Sequence, residues 1–378
     1  HRVDRRQRQM CIRDRFIDRI EIRIIFGGNM EARVCVLAGD GVGKEVTTES
    51  MKVLEAICRK FDHNFEFIHA LVGGAAIDKY NNPIPSESMN LALGSDAILF
   101  GAVGGPKWDN PSADVRPEDA ILALRKRLGL YANMRPVKVY PELIHSSPLR
   151  PEYLDGVDFV IVRELTGGLY FGRPKRRSAS TRGRRAVDTL AYSEKEIARV
   201  VRVAFELAKS RRNRLHSLDK MNVLETGRLW REIANEVSRD YPEVELIHML
   251  ADNAAMKIIT NPSEFDVIVT ENSLGDILSD EASVITGSMG MLPSASLASS
   301  PPPPGKRRGR RGRPALYEPI HGSAPDIAGH NIANPVASFL SASLMLRWSF
   351  GLHEEADEIE NAINKNITEG YRTKDIAG

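Results

Sequence analysis

From residue 31 onward, short apolar runs alternate with longer amphipathic stretches, and this alternation limits the chain to one fold class. The run "ARVCVLAG" (32–39) reads as a buried strand and "KEVTTESMKVLEAICRKF" (44–61) as an amphipathic helix. The runs "DAILFGAVGG" (96–105) and "DFVIVREL" (158–165) read as two further strands. Residues 192–212 carry helical periodicity, with Ser193 and Glu196 spaced as a capping box, in which each side chain satisfies a backbone N–H at the helix start. Three more strands, "RLHSLDK", "VELIHML" and "FDVIVT", each lead to a polar residue and then a helix. Strands alternating with helices in this way predict an α/β protein. At 378 residues and 42% apolar content, the chain is long enough for two domains or one large one.

The formal net charge of +2 conceals a strong asymmetry. Residues 1–29 hold a net +4, "RPKRRSASTRGRR" (173–185) a net +7 and "GKRRGRRGR" (305–313) a net +6, so the remainder carries a net −15. An acidic body with three separate basic segments does not fit a nucleic-acid-binding fold, and no nucleic-acid partner is expected. The segment 1–29 lacks a signal-peptide apolar core and reads as a non-native or disordered extension. The stretch "ASSPPPPGKRRGRRGRP" (298–314) reads as a disordered insertion, because its prolines lack donors and its arginines repel one another. Three scattered cysteines, Cys11, Cys35 and Cys58, fit neither a disulfide framework nor a zinc site, and point to a reducing compartment. No apolar run reaches the length of a membrane span, so a soluble, cytoplasmic protein with no membrane partner is expected.

The glycines of "LAGDGVGKEV" (37–46) do not match the G-x-G-x-x-G dinucleotide fingerprint, since Lys44 takes the third glycine's place. A tight strand-to-helix turn is expected there, not a Rossmann site. Arg163 follows "DFVIV", Lys220 follows "LHSLD", Asp252 follows "VELIHML" and Asp276 follows "FDVIVT", and in open α/β sheets ligands bind beyond the carboxyl ends of strands. In "GDILSDEASVITGSMGM", Asp276 and Asp280 share a helical face at a spacing where like charges repel. Either this is a solvated acidic face, as the neighbouring Glu281 suggests, or a cation sits between the carboxylates. Arg125 and Arg135 in "LALRKRLGLYANMRPVK" add two planar forks of the kind that suits a carboxylate.

Longer motifs decide between these alternatives. In order along the chain they are "LAGDGVGKEV", "LVGGAAIDKY", "GAVGGPKWD", "YANMRPVK", "RELTGGLYFG", "DKMNVLETGRLWRE", "DNAAM", "GDILSDEASVITGSMGMLPSASL" and "EPIHGSAPDIAGHNIANP". In these the chain resembles the β-decarboxylating dehydrogenases, the family of isocitrate and isopropylmalate dehydrogenases, from about residue 33 to residue 378. The resemblance implies their two-domain α/β fold with a large mixed sheet, distinct from a Rossmann fold. It places residues 30–130 and 287–378 in a first, cofactor-binding domain. Residues 131–286 then form a second domain for substrate and dimerisation, with an arm near 165–192. Two departures stand out: the insertion at 298–314 replaces a short connection, and the arm is Arg-rich where relatives carry mixed charge.

The resemblance also implies roles. Asp252, Asp276 and Asp280 match the ligands of a Mg²⁺ or Mn²⁺ ion, and hard cations of this kind take oxygen donors. Arg125, Arg135 and Arg163 match clamps for the substrate carboxylates, with Asp252 also near the substrate. Tyr170 and Lys220 match an acid/base pair. In similar enzymes Lys220 and Asp252 reach in from the neighbouring subunit, which implies a homodimer with shared active sites. Glu118, Ile121 and Leu122 form the face that holds an isopropyl group, so the expected substrate is 3-isopropylmalate, oxidatively decarboxylated in leucine biosynthesis. A sibling activity on tartrate, D-malate or homoisocitrate is the alternative. The cofactor is expected to be NAD, bound by His321, Gly322, Ser323, Ala324, Pro325, Asp326, Ile327, Ala328, Gly329 and Asn334, with Gly105 and Glu118 on the nicotinamide side. Asp326 suits the ribose diol and would repel a 2′-phosphate, which disfavours NADP.

Overall fold

A computed structural model describes residues 29–110, 113–302 and 312–377. The N-terminal extension up to residue 28 and the centre of the Pro/Arg-rich stretch (303–311) lie outside the described residues, while 298–302 and 312–314 are neither helix nor strand.

Ten strands form one sheet. In chain order they are β1 (Glu31–Gly39), β2 (Asn64–His69), β3 (Ala97–Ala102), β4 (Ala132–Lys138), β5 (Asp158–Glu164), β8 (Arg214–Asp219), β9 (Glu245–Leu250), β10 (Val267–Thr270), β11 (Pro293–Leu297) and β12 (Ala315–Pro319). Their spatial order is β2-β1-β3-β12-β11-β4-β5-β10-β8-β9. The first four in space run parallel, as do the last four. β11 and β4 join the two groups through antiparallel pairings. The remaining pair, β6 (Arg176–Ser180) and β7 (Gly183–Val187), is a separate exposed hairpin. It occupies the predicted arm and is built from the Arg-rich stretch.

The predicted strands and helices are present. The helix α5 (Glu194–Lys209) begins at the expected box, where the Glu196 carboxylate accepts the Ser193 backbone N–H at 2.8 Å. Four strands of the ten-stranded sheet are not apparent from hydropathy: β2, β4, β11 and β12. β2 is an edge strand that is nowhere fully buried, and β11 ("PSASL") is buried but made of small and polar residues. β4 carries Asn133, Arg135 and Pro136 in its interior.

The β4–β5 and β11–β12 registers explain why those sequences are so polar. Alternate residues face opposite sides of a sheet. Ala132, Met134, Val160, Val162, Ala295, Leu297 and Tyr317 all join the main apolar core. The intervening residues Asn133, Arg135, Arg163, Ser294, Ser296 and Glu318 are buried as well. Asn133 pairs with Arg163 on one side and with Ser296 on the other, and Ser294 pairs with Glu318. A buried polar stripe therefore crosses four central strands on one face. Helix α8 (Asn272–Ile285) packs on that face.

Candidate active site

α8 starts where β10 ends, and its N-cap Glu271 accepts the backbone N–H groups of Ser273 (3.1 Å) and Leu274 (2.7 Å). Gly275, in the first turn, allows close approach: a Cβ there would fall 2.8 Å from Arg163 Cγ. Asn272, Asp276, Ser279 and Asp280 share the face turned to the stripe, at i, i+4 and i, i+3 spacings.

Arg163 is the centre of the cluster and is fully buried. It donates to Asn272 Oδ1 from Nε (3.1 Å) and Nη2 (2.8 Å), and its Nη1 donates to Asp276 Oδ1. Arg135 donates from Nε to Asn133 Oδ1 (2.7 Å) and from Nη1 to Ser279. Its other contacts are with Asp276 at 3.5 Å and Asp280 at 3.8 Å. Arg125, from helix α4 (Asp119–Leu128), lies 3.2 Å from Glu318 and keeps a buried Nε with no hydrogen-bond acceptor. The Tyr170 hydroxyl donates to Asp276 Oδ2 at 3.0 Å. The structure thus brings Arg125, Arg135, Arg163, Tyr170, Asp276 and Asp280 into one constellation.

Charge coupling follows from this geometry. Burial, and then the charge of Arg135, draws Arg163 down to about 9, which leaves it protonated at neutral pH. Burial would raise Asp276, but the Arg163 and Arg135 guanidiniums and the Tyr170 hydroxyl outweigh it and hold that carboxyl below the usual range. Asp280 is exposed, but partial desolvation, with the Asp276 charge adding to it, still pushes its carboxyl up despite Arg135. Burial and then the Asp276 charge raise the Tyr170 phenol. Glu281 is not the solvated neighbour its sequence suggests. It is half-buried on the other side of α8, and burial raises its carboxyl.

Lys220 and Asp252 stand apart. They follow the adjacent parallel strands β8 and β9 and pair with each other at 2.7 Å, and the hydrogen bond from Lys220 lowers the Asp252 carboxyl. Both line a cavity of about 470 Å³ together with Leu169, Tyr192, Trp230 and Ile277. Among the described residues, no three His, Cys, Asp or Glu side chains gather closely enough to hold a metal ion within one copy of the chain.

The turn at residues 39–43 is tight, as expected. A Cβ on Gly41, whose φ is +53°, would fall 2.0 Å from the Ser323 carbonyl oxygen, and that oxygen accepts the Val42 N–H at 2.9 Å. Asp40 accepts the backbone N–H groups of Gly74, Ala75 and Gly104, tying three loops together. The 321–334 segment has a cavity on each side. One, of about 450 Å³, sets Gly105 and Glu118 opposite Gly322, Ser323 and Pro325. The other, of about 380 Å³, is lined by His321, Ala324, Ile327 and Asn334 with Lys374 and Asp375. Asp326, Ala328 and Gly329 line neither; Asp326 and Gly329 are exposed and Ala328 is half-buried. Glu45, in the first turn of α1 (Gly43–Phe61), accepts the N–H groups of Gly329 (2.6 Å) and Asn331 (3.1 Å). On α4, Ile121 is buried and Leu122 half-buried, one turn before Arg125.

Sequence reasoning missed Asn272, Glu318, Glu45 and Asp375. Asn272 could have been found by extending the Asp276–Asp280 face back one turn. Asp375 carries no local signal.

The family model for isocitrate/isopropylmalate dehydrogenase matches residues 33–378. The chain belongs to the isocitrate/isopropylmalate dehydrogenase family. It is 54% identical to the 3-isopropylmalate dehydrogenase of Bacillus subtilis, an alignment that covers 92% of each chain. It is 55% identical to the enzyme of that name from Geobacillus kaustophilus, over 91% of this chain and 90% of the relative. Among solved structures it resembles the isocitrate dehydrogenase of Methylococcus capsulatus (TM-score 0.78, 29% identity, covering 92% of this chain and 94% of that one). It also resembles a β-decarboxylating dehydrogenase of Thermococcus kodakarensis in the apo form (TM-score 0.71, 34% identity, 92% and 91%). As an isocitrate/isopropylmalate dehydrogenase, the chain is an oxidoreductase with the family's two-domain fold and large mixed sheet. Among the described residues, no helix of this family member is long and apolar enough to cross a membrane.

Proposed function

We propose that the chain catalyses the NAD-dependent oxidative decarboxylation of 3-isopropylmalate to 4-methyl-2-oxopentanoate in leucine biosynthesis, in the cytoplasm. The observation that carries this reading is the buried arginine group beside an apolar patch. Arg125, Arg135 and Arg163 lie close enough to interact electrostatically, and Ile121 sits one turn from Arg125. Two carboxylates and one branched alkyl group suit such a surface. A third carboxylate against Ile121 and Leu122 would be left unpaired at a cost of several kcal/mol, so isocitrate should be rejected.

In this reading the Arg125 Nε without an acceptor awaits a substrate oxygen, and Arg135 and Arg163 hold the remaining carboxylate oxygens. Asp276 and Asp280 supply hard oxygen donors on one helix face, which suits Mg²⁺ or Mn²⁺, and Asp252 of a second copy would complete the set. When bound, NAD⁺ accepts the hydride and the cation polarises the substrate oxygen. Lys220, also from the second copy, released from its ion pair with Asp252 and in its neutral form, takes the hydroxyl proton while the C–H bond gives up its hydride. The bond to the carboxylate then breaks, CO₂ leaves, and the electron pair remains on the substrate carbon. Tyr170 returns a proton to that carbon. A homodimer with shared sites is therefore part of the proposal, as is the division into residues 30–130 with 287–378 and residues 131–286. The β11–β4 seam, where the two strand groups meet, supports that division. The 321–334 loop, with Gly105 and Glu118 opposite, would hold the cofactor. Asp326 would face the ribose diol and select NAD over NADP.

A panel of hydroxy acids and cofactors, with and without Mg²⁺, tests the reading. NADH should appear with 3-isopropylmalate and the cation. Equal or better turnover of isocitrate, tartrate, D-malate or homoisocitrate would overturn it. Changing Ile121→Ser together with Leu122→Asn should reduce turnover of 3-isopropylmalate by about ten- to a hundredfold, since the pocket loses its alkyl complement.

A further inference from the structure

Tyr192 takes no part in the scheme above, yet it touches both elements that carry it. Its ring lies against Gly167 and Gly168, just before Tyr170. A Cβ on Gly167 would fall 2.6 Å from the Tyr192 ring, and one on Gly168 would fall 2.4 Å from its hydroxyl oxygen. On its other side the same hydroxyl accepts the backbone N–H of Asn272, the first residue of α8, at 3.0 Å. The hydroxyl also stands 3.4 Å from the carboxylates of both Glu164 and Glu271, and its single proton can serve only one of them. Glu271 caps α8, and Glu164 receives the N–H groups of Thr166 and Gly167, so each carboxylate belongs to one of the two elements. Asn272 closes the loop: its Nδ2 donates to the Gly167 carbonyl at 3.2 Å while its Oδ1 holds Arg163.

We propose that Tyr192 is a positioning residue that fixes the distance between the Tyr170 phenol and the Asp276 carboxylate. It does so by wedging its ring against the glycine turn and bonding its hydroxyl to the start of α8. The ring alone sets contact with the turn, held edge-on by Trp230 at 5.8 Å between centroids. The hydroxyl alone locks the helix start, because without it the Asn272 N–H has no acceptor. The inference rests on the proposed roles of Tyr170 and Asp276.

Tyr192→Phe separates the two functions, since it keeps the ring and removes only the hydroxyl. We expect kcat to fall about tenfold, with KM for 3-isopropylmalate changed less than about twofold, as for lost orientation in a formed site. Mn²⁺ affinity, read by electron paramagnetic resonance on the protein without substrate, should weaken several-fold. At saturating Mn²⁺ in a Tyr170→Phe background, adding Tyr192→Phe should lower the residual rate by a smaller factor than it lowers the rate of the unmodified protein. A lowered melting temperature with an unaltered kcat and Mn²⁺ affinity would show a purely structural tyrosine and overturn the proposal. If the unmodified protein shows no turnover of 3-isopropylmalate, the functional reading fails instead, and the Mn²⁺ comparison still decides the role of Tyr192.

Discussion

Asp276 is shared by Arg163, Arg135 and Tyr170, so its charge has consequences beyond any ligand. Asp276→Asn would leave two buried guanidiniums with a neutral partner. Removing one member of a buried ion pair costs about 3–5 kcal/mol, and Asp280 recovers only part of that because it is exposed and farther away. We expect the variant to unfold at clearly lower urea concentration, measured by circular dichroism, as well as to lose activity. His216 governs stability in a different way. It is fully buried on β8, edge-on to Phe265 with ring centroids 4.7 Å apart, and neither ring nitrogen has a hydrogen-bond partner. Burial lowers it to about 4, even with Glu264 at 3.9 Å favouring its charge. The unfolded chain, where histidine titrates near its ordinary value, therefore binds more protons between about pH 6.5 and pH 4. Stability should fall across that window as pH drops, by at most about 3 kcal/mol from this residue. His216→Leu should flatten the curve in that window, as read from urea unfolding at several pH values.

At the scale of elements, the β6–β7 hairpin is the least supported piece. Its cross-strand partners are all residues of the hairpin itself, and a two-stranded unit of this size is marginal alone in water. If two copies meet through their arms, as the proposed homodimer implies, each brings the net +7 of residues 173–185 toward the other. Screening then favours association, so the dimer should tighten as salt rises from about 0.05 to 0.5 M, contrary to an interface held by ion pairs. Sedimentation velocity across that range checks the sign. Elements also show where the sequence is legible. Parallel strands buried on both faces, such as β3 and β5, announce themselves by hydropathy. So does α5, through Ser193 and Glu196. β4 and β11 do not, because one face of each is the polar stripe and polarity in a strand resembles a loop. The same polarity drew attention to Arg135, on a strand that hydropathy leaves unmarked. Glu281 reads as solvated because its spacing carries no sign of the partial burial it has on α8.

For the whole molecule, the separation of Lys220 and Asp252 from the Tyr170–Asp276 group makes a sharp prediction. Neither Lys220→Ala nor Tyr170→Phe should retain more than a trace of turnover. If the sites are shared, unfolding the two variants together and refolding the mixture should restore about a quarter of the normal rate, since half of the dimers are hybrids and each hybrid has one intact site. A site confined to one chain would give no recovery. The sequence could not show this by residue spacing, because Lys220 and Asp252 are as close to Asp276 along the chain in either case.

The polar stripe on the central strands has one more consequence. Its members keep their side of the sheet only in one register, since a slip of a single residue in β4 would turn Arg135 into the apolar layer, and the same slip in β5 would do so for Arg163. A loop-borne group can drift while its scaffold survives, but the Arg135–Arg163 part of this site is written into the pairing of the scaffold itself. The arginine cluster and the fold should therefore be lost together: at protein concentrations that keep the dimer intact, the decline of turnover in rising denaturant is expected to follow the melting of the sheet.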